Sequence, residues 1–258
     1  MRSVVFVVVA LVAAAFFVTP GSGVPPKRLV WSDEFNGTVV DSSKWWATPW
    51  CSTSADDSQV CFTAANCVVR DGNLVLRVTA GTGGRPYDAC RVQTFREGGW
   101  PPPEVRAQFF PPVRVESRIK FAPGAGLWGA FWFMSNTSSA AHLELDVQEF
   151  RGAVPRQDAC HVHGVVEGGA VIDTGQDLSA DFHVYWVEYR SSSVRFGIDG
   201  LTCGSFSLPN YSAGEMIRFT HQVGPPGSWG GVGGPPPASS IPAEMLVDWV
   251  RVYRLKGG

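Results

Sequence analysis

From His142 to Phe150 polar and apolar residues take turns. Glu144, Asp146 and Gln148 fall on one side, and Leu143, Leu145 and Val147 on the other. A period of two is that of a half-buried β-strand. Glu149 breaks the pattern, because simple continuation would bury its unpaired carboxylate beside Leu145 at high desolvation cost. A β-bulge near Val147-Gln148 adds one residue and returns Glu149 to the polar side. Similar alternation predicts strands at 28–35, 113–121, 162–172, 182–190, 194–199 and 245–254. Residues 68–70 and 74–78 flank Asp71-Gly72 as a hairpin. The near-continuous apolar run 127–134 reads as a strand buried on both faces.

The segments between are punctuation. Residues 41–50 and 81–86 are turn-like. The Pro-rich stretch 98–103 cannot be a central strand. Residues 51–67 carry three cysteines and little periodicity, so they read as a stapled loop. Residues 224–237 are dense in Gly and Pro and read as a long surface loop near a binding cleft. Short strands, frequent turns, no helical period and no repeat predict an all-β sandwich.

Composition changes this picture at the start of the chain. Arg2, an apolar run over 4–18 and then Pro20-Gly21-Ser22-Gly23 read as a secretory signal peptide, residues 1–23. The run is short for a membrane span. Residues 24–258 then form a single domain. The six cysteines, at 51, 61, 67, 90, 160 and 203, are expected in disulfides, with fifteen pairings open. Asn36, Asn136 and Asn210 head glycosylation sequons. The net charge of −2 advertises no nucleic-acid partner. Ten tryptophans suit both core packing and stacking on sugar faces.

With the bulge, Glu144 and Glu149 stand about four strand steps apart, ~13 Å between Cα atoms. Side chains leaning together would leave ~5 Å between carboxyl groups, the spacing of a retaining rather than an inverting glycosidase. Asp146 between them would raise a neighbour's proton affinity, as an acid catalyst requires. An exposed acidic strand or a calcium-binding edge would use the same residue types.

The flanking sequence resembles glycoside hydrolase family 16, in its bulged, laminarinase-like (endo-β-1,3-glucanase) branch. The likeness lies in Gly124-Ala125-Gly126-Leu127-Trp128-Gly129-Ala130-Phe131-Trp132-Phe133-Met134, followed by Glu144-Leu145-Asp146-Val147-Gln148-Glu149. Trp31-Ser32-Asp33-Glu34-Phe35-Asn36-Gly37, Asp71-Gly72-Asn73-Leu74-Val75-Leu76 and Val115-Glu116-Ser117-Arg118-Ile119-Lys120 agree in order. So do Phe182-His183-Val184-Tyr185 and Val247-Asp248-Trp249-Val250-Arg251-Val252-Tyr253. The chain departs from the pattern at Cys67, at Pro112-Val113, where Tyr-Gly is usual, at Gly129, where Pro is usual, and at Leu143, where Gly is usual.

The resemblance implies a jelly-roll β-sandwich of two antiparallel sheets, with a concave sheet carrying a sugar cleft. It implies a secreted, monomeric, retaining endo-β-glucanase acting on a polysaccharide, with no membrane contact once the leader is cleaved. Glu144 would be the nucleophile, Glu149 the acid/base, and Asp146 their modulator. Asn66, Arg118, Trp128, Trp132 and His163 would bind substrate, with His161 the weaker match beside His163 and His142 a strand-end residue. No cofactor is needed for catalysis, but Glu34, Gly72 and Asp248 match a structural calcium site. A transglycosylase, a hydrolase of another β-glycan such as mixed-linkage glucan or galactan, and an idle carbohydrate-binding sandwich are the alternatives.

Overall fold

The structure is a computed structural model that describes residues 28–47, 49–51, 54–96, 102–137 and 141–256. The expected signal peptide lies outside these residues, as does most of the Pro-rich stretch at 98–103.

Fifteen strands form among the described residues. They are β1 (Arg28–Asp33), β2 (Val60–Phe62), β3 (Cys67–Arg70), β4 (Asn73–Ala80) and β5 (Tyr87–Gln93). Next come β6 (Val113–Lys120), β7 (Leu127–Ser135), β8 (Leu143–Arg151), β9 (Gln157–Gly164) and β10 (Gly168–Asp173). The last five are β11 (His183–Arg190), β12 (Ser193–Ile198), β13 (Leu201–Ser207), β14 (Glu215–Val223) and β15 (Ala243–Arg254). One layer runs β10-β9-β8-β7-β14-β5 and the other β4-β15-β6-β11-β12-β13, joined where β4 meets β5. β1 pairs with the second half of β15, and β3 with β4. The pairing is antiparallel except for β2 on β5.

β14 returns late to insert between β7 and β5, and β15 between β4 and β6, so the layers interleave distant parts of the chain as a jelly roll does. Phe131, Phe133, Leu145, Val147, Phe219 and Val252 fill the space between layers. Phe131 stacks on Phe219 with centroids 5.0 Å apart, and Phe121 on Phe150 at 4.8 Å. The open pairing of the cysteines is resolved as Cys51–Cys61, Cys67–Cys90 and Cys160–Cys203. The last ties β9 in one layer to β13 in the other. Cys67, a departure from the family pattern, is thus a staple to β5.

Two other departures have packing reasons. A Cβ on Gly129 would fall 2.5 Å from a Phe121 ring carbon, so the Phe121–Phe150 stack needs glycine there. Leu143 is fully buried in the core. The single strand expected over 162–172 is instead a hairpin. Gly164, at φ +105°, turns the chain, and Glu167 accepts the Gly164 N–H at 2.8 Å. β2, β5, β13 and β14 were not anticipated. β14 matters most, because all nine of its residues are buried in the middle of the cleft layer.

Candidate active site

The bulge sits where alternation demands it. β7 pairs Trp132 with Asp146 and Phe131 with Gln148, leaving Val147 as the extra residue. Glu149 therefore faces the same side as Glu144 and Asp146. Gln148 turns inward, fully buried, and its side-chain oxygen accepts the Ala159 N–H at 2.8 Å. That amide fastens the bulge to β9 and removes the polar-group penalty of sending Gln148 into the core.

A cleft of about 720 Å³ lies over this face. Its floor is laid by Arg91 of β5, Arg218, Thr220 and Gln222 of β14, Trp128 and Trp132 of β7, the three acids of β8, and His161 and His163 of β9. The cleft thus crosses at least five strands, ~19 Å at ~4.8 Å per strand spacing, enough for several sugar rings. Trp50, just before the disulfide-closed loop, and Asp56 and Asp57 within it flank the cleft, and Trp229 from the Gly/Pro-rich segment does so too. The Gly/Pro-rich loop expected near a cleft is there, and the stapled loop joins it.

Each acid meets an imidazole. His142 Nε2 lies 3.5 Å from Glu144 Oε2, and His163 Nε2 lies 3.6 Å from Asp146 Oδ2. His161 Nδ1 is hydrogen-bonded to Glu149 Oε2. Donor atoms of Glu144, Asp146 and His163 all fall within 4.8 Å of one another. Asp146 is buried, and burial, reinforced by the charges of Glu144 and then Glu149, holds its carboxyl well above the usual carboxylate range. Burial thus favours the protonated form of Asp146. A protonated carboxyl can donate a hydrogen bond to a neighbouring carboxylate, and the face avoids carrying three adjacent negative charges.

Trp132 is fixed by its indole N–H, which donates to Thr220 Oγ1 at 3.1 Å, and by the Arg218 guanidinium 4.5 Å from its ring centre. Trp128 lines the cleft beneath its own chain. A Cβ on Gly230 would fall 2.1 Å from the Trp128 ring, so the loop backbone already covers part of that ring. Trp132 is the better sugar platform of the two.

The sequence matches the family described as Glycosyl hydrolases family 16 over residues 106–222, the segment that contains the bulged strand and its neighbours. The match covers a little under half of the chain, and over it the chain is similar to members of this family. It is 29% identical to a glucan endo-1,3-beta-glucosidase A1 of Niallia circulans over 88% of its own length, and spans 38% of the length of that relative. It is 26% identical to a beta-glucanase of Rhodothermus marinus, covering 98% of this chain and 95% of the relative. The solved laminarinase of Rhodothermus marinus superposes with a TM-score of 0.78 at 25% identity, covering 90% of this chain and 99% of that one.

Two of the expected substrate residues lie away from the cleft. Arg118 was expected on the cleft floor, but β6 belongs to the opposite layer, between β15 and β11. Val115, Ser117 and Ile119 of β6 point into the core. By alternation Arg118 points away from it, on the far side of the molecule from the cleft. It pairs with Asp248 at 2.7 Å and lies over Phe182. Asn66 is buried in a short 3-10 turn before β3, does not line the cleft, and donates to Thr79 Oγ1 at 3.0 Å.

The calcium expectation meets the same obstacle. Both Glu34 oxygens accept hydrogen bonds from Arg251, at 3.1 and 2.7 Å, which holds the Glu34 carboxyl below its usual range. Asp248 is the partner of Arg118. Gly72 occupies the β3–β4 turn at φ +73°. The carboxylates of this set are matched to guanidinium cations, and as paired here they do not fit a calcium cage. Accordingly, Arg118→Ala is expected to leave kcat/KM on laminarin within about twofold, and to lower stability by ~1 kcal/mol or less, as for exposed ion pairs. Chelator treatment should leave Tm unchanged. Steady-state assays and thermal melts check both.

The sequence reading missed Arg218, Thr220, Gln222 and Trp229. Met216, Arg218, Thr220 and Gln222 alternate with Ile217, Phe219, His221 and Val223, a strand signal readable along the chain. No local pattern places Trp229 over the acids.

Proposed function

We propose that this chain is a secreted, retaining, endo-acting β-glucan hydrolase whose preferred substrate is β-1,3-glucan. The observation that carries the reading is the bulged strand, which sets Glu144 and Glu149 on one cleft wall with Asp146 between them. The relatives named for endo-1,3-β-glucosidase and laminarinase activity support the substrate class. A cleft that crosses the sheet suits attack within a chain.

Glu144 attacks the anomeric carbon while the bond to the leaving oxygen breaks, and that oxygen takes a proton from Glu149. The glycosyl–Glu144 ester then meets water. Glu149 removes the water's proton, the new C–O bond forms, and Glu144 leaves as a carboxylate, with net retention. Protonated Asp146 shares its hydrogen with the nucleophile and keeps local negative charge low. Trp132 stacks on a sugar face, Trp128 shapes the floor, and His163 orients Asp146. No step needs a metal.

Residues 24–258 act as one catalytic domain and monomer, with 1–23 as the secretory leader. The three disulfides support export to an oxidising compartment. Among the described residues no helix is long and apolar enough to cross a membrane.

The test is a substrate panel of laminarin, mixed-linkage glucan, agarose and xyloglucan, with wild type and Glu144→Gln. Laminarin is expected to release reducing ends fastest, and Glu144→Gln to release none. Binding without release would identify an idle carbohydrate-binding sandwich. Longer products in the presence of acceptor sugars would identify a transglycosylase.

A further inference from the structure

The acid/base carboxylate of a retaining glycosidase does two opposite jobs, and its immediate partner decides how readily it does each. Here that partner is an imidazole from the neighbouring strand. His161 Nδ1 is hydrogen-bonded to Glu149 Oε2, although by register His161 stands opposite Asp146. The ring reaches diagonally along the sheet. Gly169 stands opposite it on the other side, and a Cβ there would fall 2.1 Å from the imidazole Cδ2. The missing side chain is what lets the ring lie flat over β10. The edge of Trp229 closes against it at 5.2 Å and 84°, and His163 stacks beside it at 5.9 Å. Backbone space, an indole and a second imidazole thus hold the ring in one orientation.

We propose that His161 is the positioning residue of Glu149. It donates its Nδ1–H to Oε2, so that Oε1 meets the glycosidic oxygen, and it stabilises the carboxylate left when the proton departs. This rests on the reading of Glu149 as the acid/base.

The proton balance is simple. In the first half-reaction the proton on Glu149 goes to the leaving oxygen, and the resulting carboxylate accepts the Nδ1–H of His161. In the second, water gives its proton back to Glu149 as its oxygen bonds to the sugar. His161 keeps its Nδ1 proton throughout. Other charged groups face the pair. On β8 they are Asp146, Glu144 and Arg151, whose guanidinium sits 3.5 Å from the Trp229 ring centre and bonds to Gln157. On β9 His163 is held by Asp146 and Glu167. Across the cleft β14 offers Arg218, and the disulfide-closed loop offers Asp56 and Asp57. Arg151 lies near enough to feel the charge of Glu149, while His161 is hydrogen-bonded to it directly.

The test compares His161→Ala and His161→Asn with wild type and Glu149→Ala. The substrates are laminarin and an aryl β-laminaribioside whose phenolate leaves without acid assistance. His161→Ala should lower kcat on laminarin between about 10- and 100-fold with little change in KM. Bond cleavage of the aryl substrate, read as its phenolate burst, should change only about threefold, which also shows that the variant is folded. His161→Asn, whose amide N–H can occupy the place of Nδ1–H, should recover most of the loss. The proposal is overturned if His161→Ala keeps wild-type kcat on laminarin, if both substrates lose equally, or if Asn recovers nothing. A wild type inactive on both substrates would instead sink the hydrolase reading. A wild type that is active, with Glu149→Ala selectively impaired and His161→Ala normal, would remove the role of His161 alone.

Discussion

Glu144→Ala is expected to lose at least ~10³-fold in laminarin hydrolysis, and azide should restore turnover of an activated aryl β-glycoside as the α-glycosyl azide. The inverted product follows from geometry. With the carboxylate gone, azide enters from the face Glu144 occupied, and no second displacement follows. Glu149→Ala should behave in the opposite stereochemical sense. Its glycosyl–Glu144 ester still forms from a good leaving group, and azide then attacks from the Glu149 side to give the β-glycosyl azide. Proton nuclear magnetic resonance of the two products reads the anomers directly. The pair assigns nucleophile and acid/base separately, which loss of activity alone cannot do. If both variants gave the same anomer, the two glutamates would not sit on opposite faces of the sugar, and the roles drawn from the bulge would be wrong.

A second large effect is expected far from any sugar. Asp158 on β9 points between the layers, fully buried, and neither carboxylate oxygen has a hydrogen-bond partner. The Tyr185 hydroxyl, also buried, lies near enough to feel its charge. Burial, with the charge of Asp199 behind it, pushes the Asp158 carboxyl up from 3.8 to about 7. Between those values the unfolded chain is ionised at this residue while the native protein keeps its proton. The native state therefore binds more protons, and stability falls as pH rises from about 4 to about 7. The full penalty is ~4 kcal/mol at the upper end. Asp158→Asn preserves the shape and removes the titration. Urea unfolding at pH 4.5, 5.5, 6.5 and 7.5 should show the variant gaining on wild type with every step. A constant difference across that range would mean that Asp158 is not the titrating group. His221 works in the other direction. Burial lowers it to about 4, so it costs stability as pH falls through the range below 6.5. That contribution is common to both proteins and drops out of their difference.

The same two strands show what can be read along a chain and what cannot. The bulge at Val147 was legible because the conflict is local. A period of two, six consecutive residues and the cost of burying a carboxylate leave little choice about Glu149. The sandwich was legible for a similar reason, since alternation and turn residues are written within each strand. Gln148 was misplaced by the same rule, because its side reverses once the bulge is inserted. The hairpin at Gly164 was overlooked because apolar residues continue on both sides of a single glycine.

Arg118 marks the limit most clearly. Its parity on β6 correctly puts it with Arg114 and Glu116, facing away from the core. Parity is relative to its own strand, however, and carries no information about which layer that strand joins. The answer came from β15 and β11, which lie more than sixty residues later in the sequence. His161 is the complementary case. Its alternation with His163 was visible, but a strand pattern does not reveal the diagonal reach to Glu149, the empty space over Gly169 or the Trp229 edge.

What the amino-acid order determined by itself was the all-β class, the alternation of faces along the regular part of a strand, and the gathering of three acids by one extra residue. Each follows from forces acting between near neighbours in one strand. Only the tertiary structure decided which layer holds the cleft, which imidazole serves which acid, and that Arg118 and Asp248 are each other's partners. Those outcomes depend on contacts between segments far apart in the chain, whose pairing is chosen by the packing of the whole core.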